Sequence, residues 1–144
     1  MFGRFLVALL AAGVCAAPAS ADGFEAGQLR ITHPWSRPTA AGQPVGVAYL
    51  SITNNGRGDD VLLRASTPLA GNVQLHQTTF SDGMAHMRPL GQLVIPPGKT
   101  VRIEPGGIHL MLMDLKQALV AGSTVPLTLE FRAAGKITVM LRVE

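Results

Sequence analysis

The amino-acid sequence predicts an all-β protein with one domain, built as a β-sandwich or a small β-barrel. Short segments rich in valine, leucine, isoleucine and threonine recur along the chain at regular spacing. Glycine and proline, with 16 and 10 residues, separate these segments and supply the turns between them. This combination is typical of sandwiches and small barrels.

Eight segments have the composition of β-strands. In chain order they are QLRITH with its core at 29–33, VGVAYLSIT at 45–53, DVLLRAS at 60–66, NVQLHQTTF at 72–80, VRIE at 101–104, IHLMLM at 108–113, VPLTLEFR at 125–132 and KITVMLRV at 136–143.

Four of the intervening segments carry turn chemistry, in which glycine and asparagine supply positive φ and proline fixes the entry. They are NNGRGD at 54–59, SDG at 81–83, IPPGK at 95–99 and EPGG at 104–107. Only DLKQALVAG, residues 114–122, predicts a helical turn.

The first 21 residues predict a cleaved signal peptide. A short basic start is followed by an apolar run too short to span a bilayer, and small residues at Ala19 and Ala21 suit cleavage before Asp22. Val14 precedes Cys15 where a lipoprotein signal needs a small residue, which disfavours lipid attachment. Residues 22–144 are therefore expected to be the exported domain.

Charge and cysteine content narrow the classes of function. The formal net charge is +3, but the basic residues are scattered singly, so the sequence does not predict nucleic-acid binding. Cys15 is the only cysteine and leaves with the signal peptide. A metal bound by the exported domain must therefore be held by histidine, methionine, carboxylate or backbone groups.

Methionine and histidine are concentrated in one region of the chain. Four of the methionines after the signal peptide fall within 30 residues, and three of the four histidines lie in or beside that stretch. In GGIHLMLMDL, His109, Met111 and Met113 share one face of a strand, while Leu110 and Leu112 share the other. A core has little use for several imidazoles, so the first face is interpreted as a ligand face.

Thioether and imidazole together favour Cu(I), whereas zinc and calcium sites prefer thiolate or carboxylate ligands. A blue-copper site needs a cysteine thiolate, and no hydrolase motif is present. Two other hypotheses stay open. In the first, the Met/His face is a protein-docking patch of an adhesive or structural β-sandwich. In the second, the face belongs to an enzyme with a substrate pocket beside the metal.

The spacing of four of these residues resembles a known family. Ten residues separate His76 from Met87, twenty-one separate Met87 from His109, and one separates His109 from Met111. This spacing resembles the H-x10-M-x21-H-x-M pattern of the periplasmic copper chaperone PCu(A)C family. The segments 34–56, 82–90 and 96–119 are similar as well. Gln77 departs from the family pattern, because in such motifs a second methionine often follows the first histidine.

The resemblance implies a cupredoxin-like Greek-key β-barrel or sandwich that binds one Cu(I) through His76, Met87, His109 and Met111. It also implies a metallochaperone that delivers copper for assembly of the copper centre of a cytochrome c oxidase. We expect the protein to be periplasmic and monomeric, not an enzyme, and without stable membrane insertion after signal cleavage. The expected partners are a copper-accepting oxidase subunit and a Sco-type thiol protein.

Three other methionine and histidine residues lie close to the four expected ligands in the sequence. Met84 and His86 have the opposite strand parity to Met87, and a bulge or turn there would exchange their roles. His86 is either an auxiliary ligand or a solvated histidine. Met113 lies one pleat beyond Met111 and is interpreted as a hydrophobic rim of the site.

Two further pairs are interpreted as structural. His33 and Trp35 are expected to pack together at one end of the barrel. Asp59 and Asp60 are expected to be solvent-facing turn acids and not calcium ligands, because no third carboxylate accompanies them.

Overall fold

All eight segments that the sequence predicts as strands are strands in the computed structural model, which describes residues 23–144. The eleven strands of this part of the chain are β1 Gly23–Ala26, β2 Leu29–Ser36, β3 Val45–Asn54, β4 Asp60–Ser66, β5 Ala70–Ser81, β6 Met84–Leu90, β7 Leu93–Ile95, β8 Thr100–Ile103, β9 Ile108–Leu115, β10 Thr124–Phe131 and β11 Gly135–Val143. The predicted signal peptide, residues 1–21, lies outside the described residues.

The prediction of a helical turn at residues 114–122 is wrong. The backbone of this segment bonds to other parts of the fold: the Leu115 N–H donates to the Pro44 carbonyl at 2.9 Å. The Leu119 N–H donates to Thr39 Oγ1 at 2.8 Å, and the Leu119 carbonyl accepts from the Thr39 N–H. These tertiary hydrogen bonds replace the local ones a helix would need. Within residues 23–144, no helix has the length and apolar character needed to cross a membrane.

The strands form one continuous sheet in the order β6-β5-β9-β8-β3-β2-β11-β10-β4-β7, with β1 paired to β2 and β9 also paired to β3. Most neighbours are antiparallel, while β2 with β11 and β8 with β9 are parallel. Strand β4, near one end of the order, contacts β5, near the other. The sheet therefore curls back on itself around a common interior, and the all-β prediction is confirmed.

The interior is filled by the inward-facing side chains of nearly every strand. Its largest fully buried members are Phe131, Leu29, Ile31, Leu50, Ile52, Leu62, Ile95, Ile103, Leu110, Leu112, Leu119 and Leu127. Leu110 and Leu112 of β9 are among them, whereas Met111 and Met113 are only half-buried. The leucine face of GGIHLMLMDL is thus core, as the alternation predicts.

One acidic residue is buried, contrary to the prediction. Asp59 is exposed as expected, but Asp60 is only 5 % exposed. Its carboxylate accepts hydrogen bonds from the backbone N–H groups of Val61, Ala133 and Ala134, at 2.8, 2.8 and 3.0 Å. These three donors compensate the charge of the carboxylate, which is buried away from water. Asp60 therefore joins the start of β4 to the turn between β10 and β11.

The expected contact between His33 and Trp35 is present. Their rings lie 6.1 Å apart in an edge-on arrangement, and Trp35 packs on Tyr49 at 4.7 Å. His33 has a φ of 48°, where the pairing of β2 with β3 shifts register. Its Nε2 lies 3.0 Å from the Glu144 carboxylate. The cluster runs from the surface inward, because the His33 side chain is mostly exposed while Tyr49 is buried.

Candidate metal centre

Strands β5 and β9 bring two of the predicted ligands directly opposite each other. His76 of β5 pairs with His109 of β9 in the antiparallel ladder. Residues that are directly opposite in such a ladder project from the same face of the sheet. The two imidazole rings are 5.9 Å apart between centroids, with their planes at 43°.

Met111 lies on the same face as the two histidines because it follows His109 by two residues on one strand. It is opposite Gln74 on β5 and Val47 on β3. Met113 follows after two more residues, opposite Asn72. Met113 is therefore one pleat beyond Met111 and two pleats from the histidine pair, the position expected of a rim residue.

Met87 is brought to this face by β6. It pairs with Thr78, which is two residues from His76 on β5 and shares its face. The ladder between β5 and β6 has no register shift, so Met84 and His86 project from the opposite face. The bulge that would exchange the positions of Met87 and its neighbours is therefore absent from this hairpin. Met87 is 63 % exposed, unlike the half-buried Met111.

The turn between β5 and β6 sets this register. Ser81 pairs with Met84, which leaves Asp82 and Gly83 as a two-residue connection. Their φ angles are 52° and 73°, as a type I′ turn requires, and Asp-Gly is a favoured sequence for it. A one-residue slip here would move Met87 to the other face of the hairpin.

His109 carries the clearest indication of a ligand. Its side chain is 4 % exposed, and its Nδ1–H donates to the Gly107 carbonyl at 3.0 Å. Its Nε2 is buried and is the one such side-chain nitrogen or oxygen in residues 23–144 without a hydrogen-bond partner. Leaving a buried polar atom unpaired costs about 1–3 kcal/mol. The buried lone pair of Nε2, which has no hydrogen-bond partner, fits an imidazole that binds a metal ion through this nitrogen.

His76 is also prepared to bind as a neutral ring. Burial lowers the pKa of its imidazole from 6.5, and the neighbouring His109 lowers that pKa further. The neutral form is the one that binds metal, so both effects favour the competent state. The Nε2 of His76 bonds to the Gln74 side-chain oxygen at 3.0 Å.

On β5, β6 and β9, the positions of the face that carries these residues hold donors and apolar groups but no charged residue. These positions are Asn72, Gln74, His76, Thr78 and Phe80 of β5, Ala85, Met87 and Pro89 of β6, and His109, Met111 and Met113 of β9. In the described part of the chain, no three His, Cys, Asp or Glu side chains are grouped to hold a metal. The donor set is thus two imidazoles and two thioethers, which suits a soft cation.

Sequence reasoning missed the two groups that bond the imidazoles, Gln74 and the Gly107 carbonyl. Gln74 stands two residues before His76, so strand alternation already places it on the same face. No comparable sequence signal identifies the Gly107 carbonyl, because its direction depends on the turn between β8 and β9.

The fold is similar to that of solved PCuAC domains. The chain is similar to the copper-bound PCuAC domain from PmoF2, with a TM-score of 0.74 and 26 % identity over 85 % of this chain and 97 % of that one. It is also similar to CuI-DR1885 from Deinococcus radiodurans, with a TM-score of 0.65 and 31 % identity over 88 % and 83 % of the two chains. The cupredoxin-like fold class expected from the sequence is confirmed.

The chain belongs to the LpqE-like family, described as putative lipoprotein LpqE-like, whose model matches residues 29–143. The putative lipoprotein Lxx21020 of Leifsonia xyli subsp. xyli (strain CTCB07) is 35 % identical over 117 residues, or 79 % of this chain and 69 % of that protein. The uncharacterized protein RP573 of Rickettsia prowazekii (strain Madrid E) is 28 % identical over 107 residues, or 72 % of this chain. The chain covers 59 % of RP573, less than two thirds of its length.

Proposed function

We propose that this protein is a copper chaperone that carries one Cu(I) as cargo, held by His76, Met87, His109 and Met111. The observation that carries the proposal is the buried, unpartnered Nε2 of His109, on a face that also presents the other three side chains. The copper-bound PCuAC domain of PmoF2 and CuI-DR1885 support the choice of metal.

The chemistry of the donors agrees with Cu(I) in an oxidising compartment. Thioethers are soft, remain neutral at every pH and form no disulfide, so they suit Cu(I) where a thiolate site would be at risk. The two imidazoles complete the set as neutral ligands. Because no carboxylate lies on this face, a hard divalent ion gains no charge neutralisation there.

The difference in exposure among the donors suits transfer as well as binding. His109 is buried and Met111 is half-buried, whereas Met87 is largely exposed on the β5–β6 hairpin. An incoming ligand from an acceptor protein can replace the Met87 sulfur while the β9 donors still hold the ion. A carrier that releases copper needs such an accessible donor.

We further propose that the protein acts in the periplasm, without catalysing a reaction, and delivers copper for assembly of the copper centre of a cytochrome c oxidase. The copper-accepting oxidase subunit and a Sco-type thiol protein are its proposed partners. The signal-like residues 1–21 and the lipoprotein description of the family support export. Transfer of Cu(I) from the loaded protein to a purified copper-accepting oxidase domain tests the destination, and retention of all copper would contradict it.

Competition with a chromophoric Cu(I) chelator tests the binding itself. We expect one Cu(I) per chain and no displacement by an equal concentration of Zn(II). Met87→Ala should weaken binding, while Met84→Ala serves as the matched control. Met84 is 62 % exposed on the same hairpin but projects from the opposite face. Stoichiometry near zero, or equal effects of the two substitutions, would contradict the proposal.

A further inference from the structure

The two imidazoles of the candidate site are bonded through different ring nitrogens. His109 donates from Nδ1 to the Gly107 carbonyl, and His76 donates from Nε2 to the Gln74 side-chain oxygen, both at 3.0 Å. A carbonyl or amide oxygen only accepts hydrogen bonds, so each partner fixes the proton on the nitrogen that faces it. The two neutral rings are therefore held in opposite tautomers.

Each ring retains one lone pair for a metal. In His109 this is Nε2, the buried atom without a hydrogen-bond partner. In His76 it is Nδ1, because Nε2 carries the proton donated to Gln74. The two histidines of the metal-free site therefore present different ring nitrogens to a metal.

The partner of His109 is fixed by the backbone. The Gly107 carbonyl also accepts the Thr78 N–H at 3.1 Å, which ties the turn between β8 and β9 to strand β5. Gly106, just before it, has a φ of 83°, a conformation that glycine adopts without strain. The acceptor for His109 thus depends on the fold and not on a side chain.

The partner of His76 is a side chain with a defined place in the site. Gln74 stands two residues before His76 on β5 and directly opposite Met111 on β9. Its amide oxygen is uncharged, so it orients the ring without adding a hard anionic donor beside the thioethers. An apolar residue at this position would leave His76 free to adopt either tautomer.

We propose that Gln74 is a positioning residue that makes His76 bind Cu(I) through Nδ1, while the Gly107 carbonyl makes His109 bind through Nε2. This inference rests on the proposed function, since it concerns the same four ligands. Groups that hold a metal-binding histidine by its second nitrogen commonly determine its tautomer and its affinity.

Nuclear magnetic resonance of the imidazole nitrogens in the full exported chain tests the proposal. At about pH 8, where unperturbed histidines are neutral, long-range proton–nitrogen correlations distinguish the protonated nitrogen from the one with a lone pair. We expect Nε2–H for His76 and Nδ1–H for His109 in the metal-free protein. Adding Cu(I), which is diamagnetic, should shift His76 Nδ1 and His109 Nε2.

Three substitutions separate positioning from general damage. Gln74→Ala should give mixed tautomers at His76, leave His109 unchanged and weaken Cu(I) binding about tenfold. Gln74→Glu keeps an acceptor oxygen and should restore the single tautomer. Asn72→Ala, on the same strand and face but opposite Met113, should change neither ring.

The outcomes also separate this inference from the proposed function. A larger Cu(I)-induced shift at Nε2 than at Nδ1 of His76, or an unchanged His76 tautomer in Gln74→Ala, would overturn the inference while leaving copper binding intact. If no imidazole nitrogen responds to Cu(I), the proposed function fails and the inference fails with it.

Discussion

Protons compete with copper for two of the four proposed ligands, because imidazole must be neutral to bind while a thioether has no proton to lose. Burial and the neighbouring His109 lower the pKa of His76 from 6.5. The neutral ring therefore persists to lower pH than in a free histidine. Cu(I) affinity should therefore vary little near neutral pH and fall only at a pH lower than the one at which a free histidine is protonated.

The four single alanine variants should divide into two groups. Met87→Ala and Met111→Ala should weaken Cu(I) binding and leave its pH dependence nearly unchanged. His76→Ala and His109→Ala should weaken binding and flatten the dependence, because one proton competitor is gone. Chelator competition between about pH 5 and about pH 8 measures this. An identical slope in wild type and all four variants would exclude His76 and His109 as ligands.

At the scale of elements, the β5–β6 hairpin decides which residues reach the site. Because the ladder is regular, Pro89 lies directly opposite His76, while His86 pairs with Thr79 on the other face. A methionine at 89 can therefore approach the site, and one at 86 cannot.

A rescue experiment follows from this register. In a Met87→Ala background, adding Pro89→Met should recover part of the lost Cu(I) affinity. Adding His86→Met should recover none, although position 86 is adjacent to 87 in sequence. Both are exposed positions of one strand, so their effects on folding should be similar. Equal rescue by the two substitutions would show that the hairpin does not keep this register in solution.

The buried Asp60 offers a second prediction at this scale. Asp60→Ala removes the acceptor of three backbone N–H groups and should lower the free energy of unfolding by about 2–4 kcal/mol. The exposed neighbour Asp59 is the control, and Asp59→Ala should change stability by about 0.5 kcal/mol or less. Chemical denaturation of the metal-free protein measures both. Equal losses would contradict the structural role of Asp60.

Strand composition and alternation predicted most of the sheet and the faces of β5 and β9. They missed three strands. β1 and β7 have only four and three residues, and nearly all of MAHMRPL in β6 is exposed and carries no alternating apolar pattern. They misjudged Asp60, because two of its three partners lie at positions 133 and 134, far along the sequence. The helical turn at 114–122 was wrong for the same reason, since distant backbone groups and the Thr39 hydroxyl take its hydrogen bonds. A local sequence pattern does not show which distant residues will be hydrogen-bond partners in the folded protein.

At the scale of the whole molecule, the core and the candidate site occupy opposite faces of the same strands. On β9, Leu110 and Leu112 fill the interior, while the buried His109 and the half-buried Met111 lie on the other face of the sheet. The core also draws on β2, β3, β10 and β11, which contribute none of the four proposed ligands. Folding should therefore not require copper, unlike the folding of small domains that lack a core without their metal.

The metal-free protein should accordingly unfold in one cooperative thermal transition, as most small domains do. Cu(I) binds only the folded state in this scheme, so it should raise the midpoint by mass action. At a free concentration about 100 times the Kd, the gain is about 2.7 kcal/mol, or a shift of about 10 °C for a chain of this size. Calorimetry with and without buffered Cu(I) measures the shift, and His109→Ala should abolish most of it. A metal-free protein without a cooperative transition would mean that the outer face contributes to the core after all.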